Sequence, residues 1–185
     1  MIFGNNNENE QDTRASVVIS QSFMNTASYV EIFRGTEESR KEVMEFVFRR
    51  NLYMVRQKCP ESIRCITDSE GNVVCFFMLV PSFAAHSSLF EKIVVGGIIE
   101  LAFWYGFDIL KRLIRIADFS DEMEKDLMKG RRYYSLQRMV VAPALQGKGL
   151  GSRYLGDALR EADSNQLPVV LSTQDSRNLV YYSRL

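Results

Sequence analysis

The chain has 185 residues, 46% of them hydrophobic and 25% charged, a composition that fits one soluble globular domain with a full core. Lysine plus arginine and aspartate plus glutamate each number 23, so the excess of positive charge that marks a nucleic-acid binder is missing. Three cysteines and one histidine make no metal-ligand pattern, and Cys59, Cys65 and Cys75 read as reduced thiols in a reducing compartment, which implies a cytoplasmic protein.

The opening stretch MIFGNNNENEQD has no basic region followed by an apolar core, so it is not a signal peptide and reads as a disordered polar lead over residues 1–14. Residues 15–185 form a single expected domain, without repeats or a dividing linker. Ala15 to Met24 reads as a short helix with Val17, Val18 and Phe23 inward. Thr36-Glu37-Glu38 is a helix start, with threonine suited to the N-cap and two glutamates at the positive end of the helix dipole. That helix is expected to run to about Lys58 on an inner face of Val43, Phe46, Val47 and Met54, and Pro60 ends it. Two β-prone runs, Ser62 to Thr67 and Asn72 to Val80, flank the polar link Asp68-Ser69-Glu70-Gly71, which signals a hairpin. Pro81 closes the second run.

A helical insert is expected over about 82–131. Ile93 to Phe107 is apolar apart from Glu100, and the flanking Glu91, Lys92, Asp108 and Lys111 keep the uncharged run below the ~20 residues of a membrane span. A charge at its centre would be costly in lipid, so a buried helix is the reading and no integral membrane segment is expected. The pattern continues through Lys111 to Ile116, and a charged helix follows from about Ser120 to Met128, ended by Gly130. Ile93, Ile98, Leu101 and Trp104 are expected to wall one end of a pocket, with a homodimer interface as the alternative use of this face. Glu100 must pair or face a cavity unless it lies on the helix surface, and surface exposure is favoured. The one histidine, His86, follows a strand in a loop and reads as solvent-facing rather than catalytic.

Tyr133 to Pro143 reads as a strand in a covered sheet, stopped by proline. Downstream, Leu150, Leu155, Ala158, Leu159 and Ala162 recur at helical spacing. Leu167 to Ser172 is a further buried strand, and Ser176 to Leu185 the start of a last helix. Between the first strand and its helix lies QGKGLGS, Gln146 to Ser152. A helix N-terminus carries unpaired amides and a partial positive charge, and glycines let a phosphate approach those amides, so the turn reads as a pyrophosphate cradle. Neither the P-loop, which needs Lys-Ser/Thr after its last glycine, nor the dinucleotide fingerprint GxGxxG fits this spacing.

The wider stretch V-A-P-x-x-Q-G-K-G-L-G-S, Val141 to Ser152, resembles the acetyl-coenzyme A signature of the GNAT superfamily of N-acetyltransferases, Q/R-x-x-G-x-G/A between a strand and a helix. Gln146, Gly149 and Gly151 hold its three defining positions. Arg177-Asn178-Leu179-Val180-Tyr181-Tyr182-Ser183-Arg184-Leu185 resembles the family's R-N-x-x-(F/Y)-Y-E-R-L-G-F, and the intervening LPVVLST strand fits the same order. The resemblance implies an α+β, three-layer fold: a mixed, mostly antiparallel sheet flanked by helices, with two central strands splayed around acetyl-CoA. The helical insert before the fourth strand of that fold is similar to the puromycin acetyltransferase-like branch. The chain is expected to depart from the family at both ends: it stops at Leu185, where the family's pattern continues into Gly-Phe and two further strands, and it shows no clear first strand before Ala15.

The resemblance also implies the chemistry. An amine attacks the thioester of acetyl-CoA directly, so no covalent nucleophile and no metal are needed. Backbone groups of Met139, Val140 and Val141 would pair with the pantetheine arm like an added strand. Amides of Gly147, Lys148, Gly149, Leu150, Gly151 and Ser152 would hold the pyrophosphate, with Gln146 in the signature and the Lys148 side chain solvated unless it adds charge. Tyr182 aligns with the tyrosine that protonates the leaving thiolate, a phenol near pKa 10 being a fitting acid for it; Tyr181 is assigned to packing. Asn178 contacts the pantetheine arm or caps the last helix. No general base is identifiable. The expected partner is an amine acceptor, small and partly apolar. The alternatives are an acetyl-CoA-binding protein without transfer and a protein or peptide acetyltransferase.

Overall fold

One strand that is apolar at consecutive positions builds the centre of the molecule, because residues covered on both faces of a sheet lose the polar alternation of a half-exposed one. Along β2 (Val73–Pro81), Phe76, Met78 and Val80 point into one core cluster while Cys75, Phe77 and Leu79 point into another. In the computed structural model, which describes residues 6–86, 97–173 and 175–184, β2 is flanked by β1 (Ile63–Thr67) and β3 (Tyr134–Val141), both antiparallel to it. A short β4 (Val169–Val170) pairs in parallel with β3, giving the order β1-β2-β3-β4. This is the mixed, mostly antiparallel, helix-flanked sheet expected.

One face is covered by α1 (Asn6–Phe23) and α3 (Glu37–Lys58), with the short α2 (Ala27–Ile32) between them in sequence. Thr36 caps α3 as anticipated, its hydroxyl accepting from Ser39 N at 3.3 Å. Helix α1 starts at Asn6 rather than Ala15, so the expectation of a disordered lead over 1–14 gives way from Asn6 onward. The cause is tertiary. Asp12 is buried against Arg56 of α3, with Arg56 Nε donating to Oδ2 at 3.1 Å, and Arg14 donates to the Gly71 carbonyl at 2.8 Å. Along α1 the buried apolar positions are Ala15 and Ile19, with Val18 and Phe23 beside them and Val17 outside the cluster. On α3 the seam is Met44, Phe48, Leu52 and Val55 together with Val43. The expected Phe46 and Val47 lie at its margin and Met54 lies outside it. Both the sheet and α1 pack on this helix, which turns the seam away from the line that the sheet alone would select.

The segment after β2 begins with the turn α4 (Ser82–Ala85). Ile93 to Gly96 lie outside the described residues, as does that part of the predicted apolar helix. Its remainder is α5 (Ile98–Tyr105), and Gly106 at φ 88° separates it from α6 (Phe107–Met128). The charged helix expected from about Ser120 is the second half of α6, since nothing between Ile116 and Ser120 interrupts the 3.6-residue period. Within α5, Leu101 is buried and Trp104 is 70% exposed. Trp104 therefore does not line the sheet, which removes it from the predicted apolar wall, while Leu101 packs in the core cluster on the α3 side. Glu100 lies on the helix surface and pairs with Arg50.

The other face of the sheet carries α7 (Leu150–Ser164) and α8 (Ser176–Tyr182). Leu155 and Ala158 of α7 dock on Cys75, Phe77, Leu79 and Leu136. Among the described residues no helix is long and apolar enough to cross a membrane.

Candidate active site

Strand β3 is regular only at its two ends. Phe76 pairs with Val140 and Met78 with Gln137, so Phe77 faces two residues, Arg138 and Met139. This is a β-bulge, and Arg138 takes the strain at φ 56°, a conformation rare for any residue but glycine, asparagine or aspartate. The bulge shifts the alternation by one. Before it Leu136 faces α7, and after it Met139 and Val141 face α7 while Val140 returns to the α3 side. On its outer edge β3 meets β4 only at Tyr134↔Val169 and Ser135↔Val170. From Leu136 to Val141 that edge has no strand partner among the described residues. An open backbone edge of this kind is where an extended arm can pair.

The same strand leads into the glycine turn. Ala142 N donates to the Val74 carbonyl at 3.0 Å, extending the pairing past the strand's end, and Pro143–Leu145 form one 3₁₀ turn. Gln146 then folds back, its Nε2 donating to the Val141 carbonyl at 3.1 Å, so that its side chain braces the turn. Gly149 is the N-cap of α7 at φ 74°, with no side chain capping the helix. The amides of Leu150, Gly151 and Ser152 in the first turn therefore have no intrahelical acceptor. A Cβ on Gly149 would meet no atom within 4 Å, so the space over these amides is open. Lys148 and Ser152 are exposed at its rim. An anion fits here on helix-dipole and hydrogen-bond grounds.

Gly151 answers to a different constraint. A Cβ there would lie 3.1 Å from the Tyr181 hydroxyl, 3.3 Å from Met139 Cε and 3.4 Å from Val141 Cγ2. Its missing side chain lets α7 lie close on β3 and lets α8 reach both. Tyr181 and Tyr182 of α8 meet edge to face with centroids 5.0 Å apart, and both pack on the α7-side cluster. The Tyr181 hydroxyl is buried and has no partner among the described residues. Burial, and then the neighbouring Tyr181, raise the pKa of Tyr182 above the ordinary phenol value, so its proton is held throughout the neutral range. Asn178 is exposed, and its Nδ2 donates to the Thr173 hydroxyl at 3.1 Å. It ties α8 back to the segment that leaves β4. The structure thus gathers Met139, Val141, Gly151, Tyr181 and Tyr182 on one face of the sheet, places Gln146 to Ser152 above them, and leaves Val140 on the opposite face.

That opposite face holds a polar chain with no motif in the sequence. His86 Nε2 is 3.0 Å from the Tyr133 hydroxyl, which donates to Glu124 Oε2 at 3.1 Å. Ser135 Oγ donates to Glu124 Oε1 at 3.0 Å, and Gln137 Nε2 donates to Ser135 Oγ at 3.2 Å. His86 Nδ1 also lies 3.0 Å from Asp121 Oδ1. His86 is therefore half-buried rather than solvent-facing, bonded to Tyr133 through Nε2, while Nδ1 lies beside Asp121 without a hydrogen bond. Burial first, and then Glu124, push the Tyr133 pKa up to about 12. Three separate segments supply this chain, which is why pattern reading passes over it. Arg138 was missed for a similar reason, since no residue type signals a bulge. Among the described residues no group of three or more His, Cys, Asp or Glu could hold a metal ion.

The profile of the acetyltransferase (GNAT) family matches residues 38–181, which takes in α3, the whole sheet, the glycine turn and most of α8. No curated protein matches the chain significantly.

Proposed function

The chain belongs to the GNAT family of acetyltransferases, and from that premise we propose that it transfers the acetyl group of acetyl-CoA directly to a small, partly apolar amine. One observation supports this above the others: the open, uncapped first turn of α7 stands at the end of a strand whose outer edge is unpaired. The amides from Gly147 to Ser152 would hold the pyrophosphate, with Gln146 bracing the turn. Backbone groups of Met139 to Val141 would hold the pantetheine arm along the free edge. Asn178 would act on that arm through the segment it anchors at Thr173. When bound, acetyl-CoA supplies the electrophilic carbonyl carbon and a thiolate leaving group. As the new N–C bond forms and the C–S bond breaks, Tyr182 gives its proton to sulfur and is later reprotonated by solvent, while the amine releases its proton to water. A phenol whose pKa is raised by burial is protonated at the outset, as this role requires.

The test is coenzyme A release from acetyl-CoA in the presence of a panel of amines, read with a thiol reagent. The reading expects acceptor-dependent release with at least one apolar primary amine. Binding of acetyl-CoA without release on any acceptor would instead favour a protein that binds and does not transfer.

A further inference from the structure

We propose that Arg138 recognises an anionic group on the acceptor, so that the acceptor is an amine carrying a carboxylate, of the amino-acid class; this rests on the transferase reading above. A left-handed conformation in mid-strand is strained for a residue with a side chain and persists only where the surroundings enforce it. Here the bulge uses it to turn the Arg138 side chain onto the α3 side of the sheet. Its guanidinium lies over the Phe48 ring, 5.1 Å from the centroid. Phe48 itself packs with Phe23 and Tyr29 at 6.5 and 5.7 Å. The cation is thus set against an aromatic, apolar wall.

Among the described residues it has no counter-charge there. Arg138 Nε is buried without a hydrogen-bond partner, and no ion pair joins Arg138 to a carboxylate among the described residues. Glu124, which reaches this face of β3, is engaged by the hydroxyls of Tyr133 and Ser135. A half-buried guanidinium without an anion is unfavourable and is offset when one arrives. Its planar fork matches a carboxylate, and the bond is charge-assisted. Position completes the case. Arg138 is three residues past the last β3–β4 pair, Ser135↔Val170, so it borders the gap between the strands. Tyr182 and the glycine turn lie on the other side of the sheet. An acceptor held by its carboxylate at Arg138 would present its amine to that gap.

The experiment pairs phenylalanine with phenylalaninamide, which differ in the carboxylate. Calorimetric binding and coenzyme A release are measured for the wild type, Arg138→Gln and Arg138→Lys, together with the thermal shift given by acetyl-CoA. The wild type should bind and acetylate the acid at least tenfold better than the amide, the scale of one charge-assisted pair. Arg138→Gln should erase that preference without changing the amide, Arg138→Lys should keep part of it, and all three proteins should show the same acetyl-CoA shift. Equal binding of acid and amide by the wild type would overturn the proposal. So would an Arg138→Gln protein that loses the acetyl-CoA shift, which would assign the guanidinium to a coenzyme A phosphate. A normal acetyl-CoA shift with release on the amide alone would leave the transferase reading standing while refuting this one. A wild type with neither shift nor release would remove both.

Discussion

Tyr181 and Tyr182 stand in contact, and burial bears on both phenols. The hydroxyl of Tyr181 is buried beside Gly151 and bonds to nothing described, and a buried hydroxyl without a partner is unfavourable by about 1–3 kcal/mol. Replacing Tyr181 with Phe is expected to leave thermal stability unchanged or raise it slightly, with turnover intact. Tyr182→Phe should lower kcat by about 10²- to 10⁴-fold, the range for a lost general acid. It should leave acetyl-CoA affinity almost unchanged, because the hydroxyl acts where charge builds on sulfur and not on the neutral thioester. Steady-state kinetics and calorimetry of the two variants decide the matter. Full turnover in Tyr182→Phe with loss in Tyr181→Phe would reverse the two roles.

The glycine turn joins a strand to a helix, and its two key glycines should fail differently when replaced. Gly149 has open space around it but sits at φ 74°. In Gly149→Val, strain of about 1–2 kcal/mol and a side chain over the helix amides should abolish acetyl-CoA binding while most of the stability survives. Gly151→Val would drive methyl groups into Tyr181, Met139 and Val141, so stability and binding should fall together. Denaturant titration with and without acetyl-CoA separates the two outcomes. Elements of this kind were legible in the sequence because their signals are local. The Thr36 cap, the Asp68–Gly71 link and the glycine spacing each lie within a few residues, and each is found where expected. The start of α1, the rotation of the α3 seam and the exposure of Trp104 were not legible. They depend on Asp12 meeting Arg56, on α1 packing over α3, and on how α5 lies against the body, all contacts between segments distant in sequence. The bulge at Arg138 belongs with these, because it is the register against β2 that creates it.

Across the molecule, the buried titratable groups predict its behaviour in alkali. Burial pushes the thiols of Cys65 and Cys75 up from 9.0 to about 11, and burial with Glu124 pushes Tyr133 up from 10.0 to about 12. Each group binds its proton more tightly in the folded state, so its contribution is fully present below the unfolded value and is lost as pH rises through the folded one. Stability should therefore be flat near neutrality and decline from about pH 9, with Tyr133 adding to the slope between about pH 10 and 12. Tyr133→Phe should remove that last part, and Cys75 should resist thiol reagents at pH 8 until the protein is unfolded. The most direct measurement of the account as a whole is thermal unfolding of the wild type with increasing acetyl-CoA. A ligand that binds only the folded chain at a hundred times its Kd stabilises it by about 2.7 kcal/mol, roughly 5–10 °C for a domain of this size. A concentration-dependent rise of that order, absent in Gly149→Val, is the predicted result. No shift at millimolar acetyl-CoA with properly folded wild-type protein would contradict the account.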